Sequence, residues 1–231
     1  MASEVSISNL ALSHIGDRAT VSSIDPPEGS AQAEHCAMFY QIARDEVLND
    51  HAWSFCTMRG ELAAESVAVE GFDYAYVLPS DVLVVREVMP AGYSEINRAQ
   101  GQSIPFEVET HPTTGNTVVL TNQPNAIIRW SSKVTTVARF SPMFISALSR
   151  LLATYLAGAI IKGPRGVQIG EGQYRLYLAQ LARAKEIDAN QGTQSSDFQP
   201  AAMAARGLAL SYRNWRDRAG VLPIEPTVGP S

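Results

Sequence analysis

The sequence predicts a mixed α+β fold, with an α-helical bundle made from both ends of the chain, an antiparallel β domain inserted between them, and an extended C-terminal tail. Three observations point there. Apolar residues recur at three- and four-residue spacing before residue 52 and again over about 141–189. Between Trp53 and Val134 the period changes to alternation, in short runs separated by Gly, Pro, Asn and Ser. Beyond residue 191 neither period persists. The expected division is therefore a discontinuous helical domain (1–52 and 141–191), a β domain (53–140) and a tail (192–231).

The first helix is expected from Ser3 to Ile15, with Ser3 as N-cap, Glu4 in the first turn and Gly16 just past the end. "SSIDPPEGS" is a loop, because consecutive prolines continue neither a helix nor a central strand. A second helix follows over Ser30–Asp50, with Ala33, Cys36, Tyr40, Ala43 and Val47 as one apolar stripe that His51 extends by a further turn. The segments "WSFCTMRGELA", "DYAYVLP", "LVVREVM", "FEVET", "TVVLTN" and "AIIRWSSKV" read as strands. In the last, Ile128, Trp130 and Val134 alternate with Arg129, Ser131 and Lys133. "HPTTGN" and "NQPN" carry turn chemistry, so 106–134 is expected to form a meander of two successive hairpins. "MPAGYSEINRAQGQSIP" is a long irregular excursion.

Helix then returns with Ser141 as N-cap and Pro142 at the first helical position. The stretch Met143–Ile161 is apolar enough to suggest a membrane span, but Arg150 near its middle would cost about 2.5–3.5 kcal/mol there. A buried core helix, and no membrane, is the expectation. After "KGPRG", read as a helix–helix turn, a fourth helix is expected over about Gly170–Ala189. Its apolar face is Tyr174, Leu178, Leu181 and Ala182, and its wet face Arg175, Arg183 and Lys185.

The net charge of −5 is unevenly spread. Residues 1–62 carry three Lys/Arg against nine Asp/Glu, whereas residues 141–231 carry ten against six. An acidic front half argues against a surface that grips duplex DNA there. The asymmetry fits two solvated surfaces of opposite sign, or end-to-end complementarity between copies or partners. The two cysteines, Cys36 and Cys56, point to a reducing compartment, and the N-terminus has no basic segment of the signal-peptide kind.

The candidate chemistry is sparse. His14, His35, His51 and His111 with Cys36 and Cys56 form no metal-ligand spacing, so neither a metal nor any other cofactor is expected. Cys56 with His51 is the one pair suggesting a hydrolase nucleophile, but it has no motif around it, and a lone Cys in an apolar strand reads as a buried, inert thiol. "GPRGVQIGEG" lacks the Gly-Lys-Ser/Thr ending of a phosphate loop and does not follow a strand. No catalytic residue is assigned. The tail combines Tyr212 and Trp215 with Arg206, Arg213, Arg216 and Arg218. These residue types suit a protein interface, with the tail lying against another chain. The alternative is a nucleic-acid-binding module that uses them as a stacking platform.

Several stretches taken together resemble a known family. Arg44, Asp45, Val47 and Leu48 match an R-D-x-[VL]-L element. His51, Trp53 and Phe55 match a His-x-Trp-x-Phe joint that is followed by an Arg, here Arg59. Tyr74, Ala75, Tyr76, Leu78 and Pro79 match a YAY-x-LP strand, and "RFSPMFISALSRLLATYLAGAI" the helix that follows a Phe-Ser-Pro start. The pattern, over about residues 5–190, resembles the head-to-tail adaptor proteins of short-tailed bacteriophages, also called connector or tail tubular protein A-like proteins. The resemblance implies a structural virion protein without catalysis, made in the host cytoplasm and placed in the neck of the virion. It implies a homo-oligomeric ring of twelve beneath the portal protein, to which a tail nozzle or tube protein attaches. During ejection DNA would pass through the channel without sequence-specific binding. On that reading His51, Trp53, Phe55, Tyr74 and Tyr76 form a structural junction, and the tail docks on the portal or a neighbouring subunit.

Overall fold

The computed structural model describes residues 2–65, 69–91 and 104–191. They form four helices and two three-stranded antiparallel sheets, a mixed α+β fold in which the described residues cluster as one compact unit.

Helix α1 (Glu4–His14) starts where the sequence places it. The Ser3 hydroxyl accepts from the Ser6 N–H, and Ser6 returns a bond to the Ser3 backbone. Asn9 clamps the following loop, donating to the Val21 carbonyl at 2.9 Å and accepting from the Val21 N–H at 2.7 Å. Helix α2 (Ala31–Asn49) is capped by Ser30 and buries Ala33, Cys36, Tyr40, Ala43 and Val47, the expected stripe, together with Arg44 and Leu48. His51 does not extend it: the helix is capped at Asp50, and His51 lies in the bend beyond.

Helix α3 (Pro142–Ile160) is the hub, packing against α1, α2 and α4. Ser141 caps it through the Phe144 N–H with Pro142 in the first turn. By length and composition it could cross a membrane, yet half of its most apolar stretch is buried inside the protein. Arg150 is held by Gln173 of α4 at 2.8 Å.

Helix α4 (Pro164–Ala189) departs from expectation twice. It begins six residues before Gly170, because Gly163 (φ +81°) turns the chain and Pro164 enters the first turn with a preset φ. Gly166 and Gly170 would argue against helix by propensity, but both face α3 at close range. A Cβ on Gly170 would stand 3.5 Å from the Thr154 carbonyl oxygen. Its buried row is Gln173, Tyr177, Leu181, Ala184 and Asp188. Of the expected apolar face only Leu181 is buried, while Tyr174, Leu178 and Ala182 are exposed. Polar groups that find partners inside (Gln173, Asp188) rotated the true face away from the one that hydropathy selects.

The strands are β1 (Thr57–Glu61), β2 (Tyr74–Val77), β3 (Val82–Met89), β4 (Glu107–Thr110), β5 (Thr117–Thr121) and β6 (Ile127–Ser132). They pair as β1-β6-β3 and β2-β5-β4. The expected meander is half right. β4 and β5 form a hairpin whose turn places Gly115 at φ +73° and gives the Thr113 and Thr114 N–H groups to the His111 ring. The "NQPN" segment instead carries the chain from one sheet to the other, so β5 and β6 are not partners. Tyr76 holds that crossing: its hydroxyl donates to the Gln123 carbonyl at 2.9 Å and accepts from the Ala126 N–H at 3.3 Å. The two sheets share a core of Tyr76, Leu78, Val85, Val88, Val119, Ala126, Ile128 and Trp130. On the far side of β5, Ala75, Val118 and Leu120 are covered by Val69 and Phe72. In β6, Ser131 is buried along with Ile128 and Trp130, so both faces of that strand are covered.

One partly buried polar cluster is expected to make the stability of the fold depend on pH. His14 ends α1 with Nε2 3.2 Å from the Ser149 hydroxyl, and its carbonyl accepts from Gln173 at 2.7 Å. Burial first, and the neighbouring Arg150 cation second, lower its pKa from 6.5 to about 4. A folded-state pKa below the unfolded one means that the unfolded chain binds the proton first. His14 therefore contributes stability that is complete above pH 6.5 and is lost as pH falls towards 4. Urea midpoints measured across that window should fall more for the native protein than for His14→Gln, and parallel curves would remove His14 as the cause.

Candidate functional site

The His51–Trp53–Phe55 joint lies where α2 hands the chain to β1. Residues 53–56 form a turn, closed by the Cys56 and Thr57 N–H groups on the Trp53 carbonyl at 3.1 and 2.9 Å, so Trp53 and Phe55 precede the sheet and do not begin it. Trp53 is wholly buried and its indole N–H donates to the Val47 carbonyl at 2.7 Å, satisfying a carbonyl near the end of α2. Its ring meets Phe144 of α3 edge-on at 5.2 Å and His51 at 5.0 Å, and stacks on Phe55 at 6.1 Å. Phe55 in turn meets Phe140 and Phe144. Such ring pairs add about 0.5–1.5 kcal/mol each beyond area burial. Of the five expected junction residues, His51, Trp53 and Phe55 are brought together, between the end of α2 and α3; Tyr74 and Tyr76 are not among them. Tyr74 and Tyr76 stack on each other at 6.3 Å in β2, within the second sheet.

Two residues that the sequence did not single out complete the corner. Asp188, at the end of α4, accepts from the Ser54 N–H at 2.9 Å and the Ser54 hydroxyl at 2.7 Å, with His51 Nε2 at 3.4 Å. Arg86 of β3 donates to the Asn49 and His51 carbonyls at 2.8 and 3.1 Å and to the Ser131 hydroxyl at 2.9 Å. It caps the negative end of the α2 dipole with a cation from the sheet. Asp188 gave no usable signal, because the buried row that it extends by four residues from Ala184 is not the face of α4 that hydropathy selects. Arg86 gave none, since nothing local says that a strand arginine will reach a helix end.

The family-pattern residues also have structural partners. Arg44 is buried and donates to Asp45 at 2.8 Å, and Asp45 reaches Lys133 beyond β6 at 2.7 Å. Tyr177 of α4 donates to Asp50 at 2.5 Å, and Tyr155 of α3 to Glu46.

The arrangement does not build a nucleophile. Burial pushes the Cys56 thiol up, away from the thiolate that attacks, and its side-chain partner is Ser131. Burial lowers the pKa of His51 against the opposing pull of Asp188. The Ser54 hydroxyl donates its hydrogen bond to Asp188 directly, so His51 does not stand between them as a base would. Among the described residues no group of three His, Cys, Asp or Glu side chains could hold a metal. Cys36 is buried, and its thiol is pushed up to about 11, chiefly by desolvation. The remaining expected contacts, Arg206, Tyr212, Arg213, Trp215, Arg216 and Arg218, lie outside the described residues.

What the fold and corner define is a mixed α+β protein in which an aromatic junction joins the end of α2 to α3, with Arg86 binding that corner to β3 and Asp188 binding it to α4. No protein-family model matches the chain, and no curated protein matches it.

Proposed function

We propose that the chain is a structural virion protein, a head-to-tail adaptor that forms a ring between the portal and the tail of a short-tailed bacteriophage and continues the DNA channel. One observation carries the reading. The residues that match the adaptor pattern (Arg44, Asp45, His51, Trp53, Phe55, Tyr76) are spent on packing and on bonds between elements, as in a part whose task is shape. The acid-rich first 62 residues suit a conduit through which DNA must slide without adhering. The tail, with Arg206, Tyr212, Arg213, Trp215, Arg216 and Arg218, is the segment assigned to docking on the portal or an adjacent subunit.

Deleting residues 207–231 is expected to leave the circular-dichroism spectrum of the helices and sheets in place while weakening assembly onto the portal. Undiminished docking of the truncated protein would contradict that assignment. The nucleic-acid alternative is separated by measuring DNA affinity at two salt concentrations. The adaptor reading expects weak binding at both, whereas a binding module loses affinity steeply as salt rises.

A further inference from the structure

The end of α4 is held differently from its middle. The buried apolar residues of the helix, Tyr177, Leu181 and Ala184, stop one turn short of its C-terminus. Of residues 185–190 only Asp188 is buried. A carboxylate at that end opposes the helix dipole, so the helix itself does not favour it there. The corner does: Asp188 accepts from the Ser54 N–H at 2.9 Å and the Ser54 hydroxyl at 2.7 Å, with His51 Nε2 at 3.4 Å. The same hydroxyl also donates to the Gln191 side-chain oxygen at 3.1 Å. His51 sits inside this polar tie with its ring edge-on to Trp53 at 5.0 Å. Lys185 of α4 and Arg86 of β3 face it as cations and Asp188 as the anion, while Asp50 at the end of α2 is engaged by the Tyr177 hydroxyl at 2.5 Å. A proton on His51 would therefore add a third cation to a half-buried corner whose facing carboxylate already accepts two bonds. Burial, the largest cause, lowers the His51 pKa from 6.5; Asp188 pulls it up, and Lys185 and Arg86 push it down.

We infer that the last turn of α4, residues 185–191, is a pH-sensitive latch: when His51 takes up a proton, this turn lifts off the His51–Ser54 corner while the rest of the fold stays closed. Undocking returns the imidazole to water and carries Lys185 away from it. The open state therefore holds the proton more tightly than the docked one. By linkage, docking is complete above pH 6.5 and is lost progressively as pH falls below it. The opening is local because the turn that moves is tied through one carboxylate and buries no apolar side chain, the kind of segment that opens well below the global unfolding free energy. The latch belongs to the chain as a monomer and does not depend on the adaptor reading.

Amide hydrogen exchange on the full chain tests this. After correction for intrinsic rates, protection of the 186–191 amides is expected to fall by about threefold or more between pH 7.5 and 5.5. In His51→Gln that local dependence should flatten, while the amides of Leu151 and Leu152 in α3, which open with the whole fold and follow His14, keep theirs. Ser54→Ala, at an exposed position, leaves His51 in place and is expected to lower protection of the turn at every pH. A local pH dependence that survives His51→Gln overturns the latch. Protection that rises as pH falls overturns it too, because the His51–Asp188 ion pair would then prevail over burial. Should His51→Gln fail to fold, the His51 ring resonances in the native chain give the second readout. Their titration midpoint is expected to lie below 6.5 and to move up towards it in Ser54→Ala, and a midpoint that does not move overturns the latch.

Discussion

Replacing Trp53 with alanine is expected to lower the unfolding free energy by about 3–5 kcal/mol, the range for emptying the site of a large buried aromatic. The indole is the largest wholly buried side chain among the described residues, and it touches α2, α3 and the turn between α2 and β1 at once. It packs on Phe144 of α3, Phe55 of the turn and His51, and it satisfies the Val47 carbonyl of α2. The variant loses all of these, and the rings of Phe55 and Phe144 cannot close the gap without moving α3. Trp53→Phe keeps most of the ring contact and gives up the hydrogen bond, so its cost should be nearer 1–3 kcal/mol, the range for leaving a buried acceptor unpaired. Urea titrations of both variants check this, and a Trp53→Ala midpoint equal to that of the native protein would mean the corner is not a structural joint.

The second large effect is expected from one methyl group. A Cβ on Gly166 would fall 1.8 Å from the Ile161 carbonyl oxygen and 2.9 Å from that of Ala157. Both obstacles are backbone atoms at the end of α3, so no rotamer change relieves them. Gly166→Ala therefore has to push the α3–α4 turn apart, at a cost of about 3 kcal/mol, the upper part of the range for overpacking. Gly158 supplies the control. It lies in α3, where a Cβ would meet nothing within 4 Å. Gly158→Ala should gain about 0.5–1 kcal/mol through helix propensity alone. Equal thermal shifts for the two variants would show that the close approach at Gly166 does not govern the turn.

These effects mark what a linear reading could and could not reach. The helix starts at Ser3, Ser30 and Ser141 were legible because an N-cap is a local device, one hydroxyl reaching an N–H three residues on. The α2 stripe was legible because its interior positions are apolar. The α4 face was not, since Gln173 and Asp188 are buried by virtue of partners more than 100 residues away, His14 and Ser54. The "HPTTGN" hairpin followed from turn chemistry, which fixes its own register. "NQPN" carries equally good turn residues, but what happens there depends on Tyr76, some fifty residues upstream, and the chain changes sheets. At the corner, the pairing of His51 with Trp53 and Phe55 could be anticipated from spacing and resemblance. Arg86 and Asp188, which bind the corner to the sheet and to α4, could not, because each acts across a long stretch of chain.

The measurement that bears most directly on the adaptor reading is electron microscopy of the purified full chain, alone and mixed with a portal ring. The account predicts closed rings that stack coaxially beneath the portal and share its central channel. Particles that remain single subunits and leave the portal bare would contradict it.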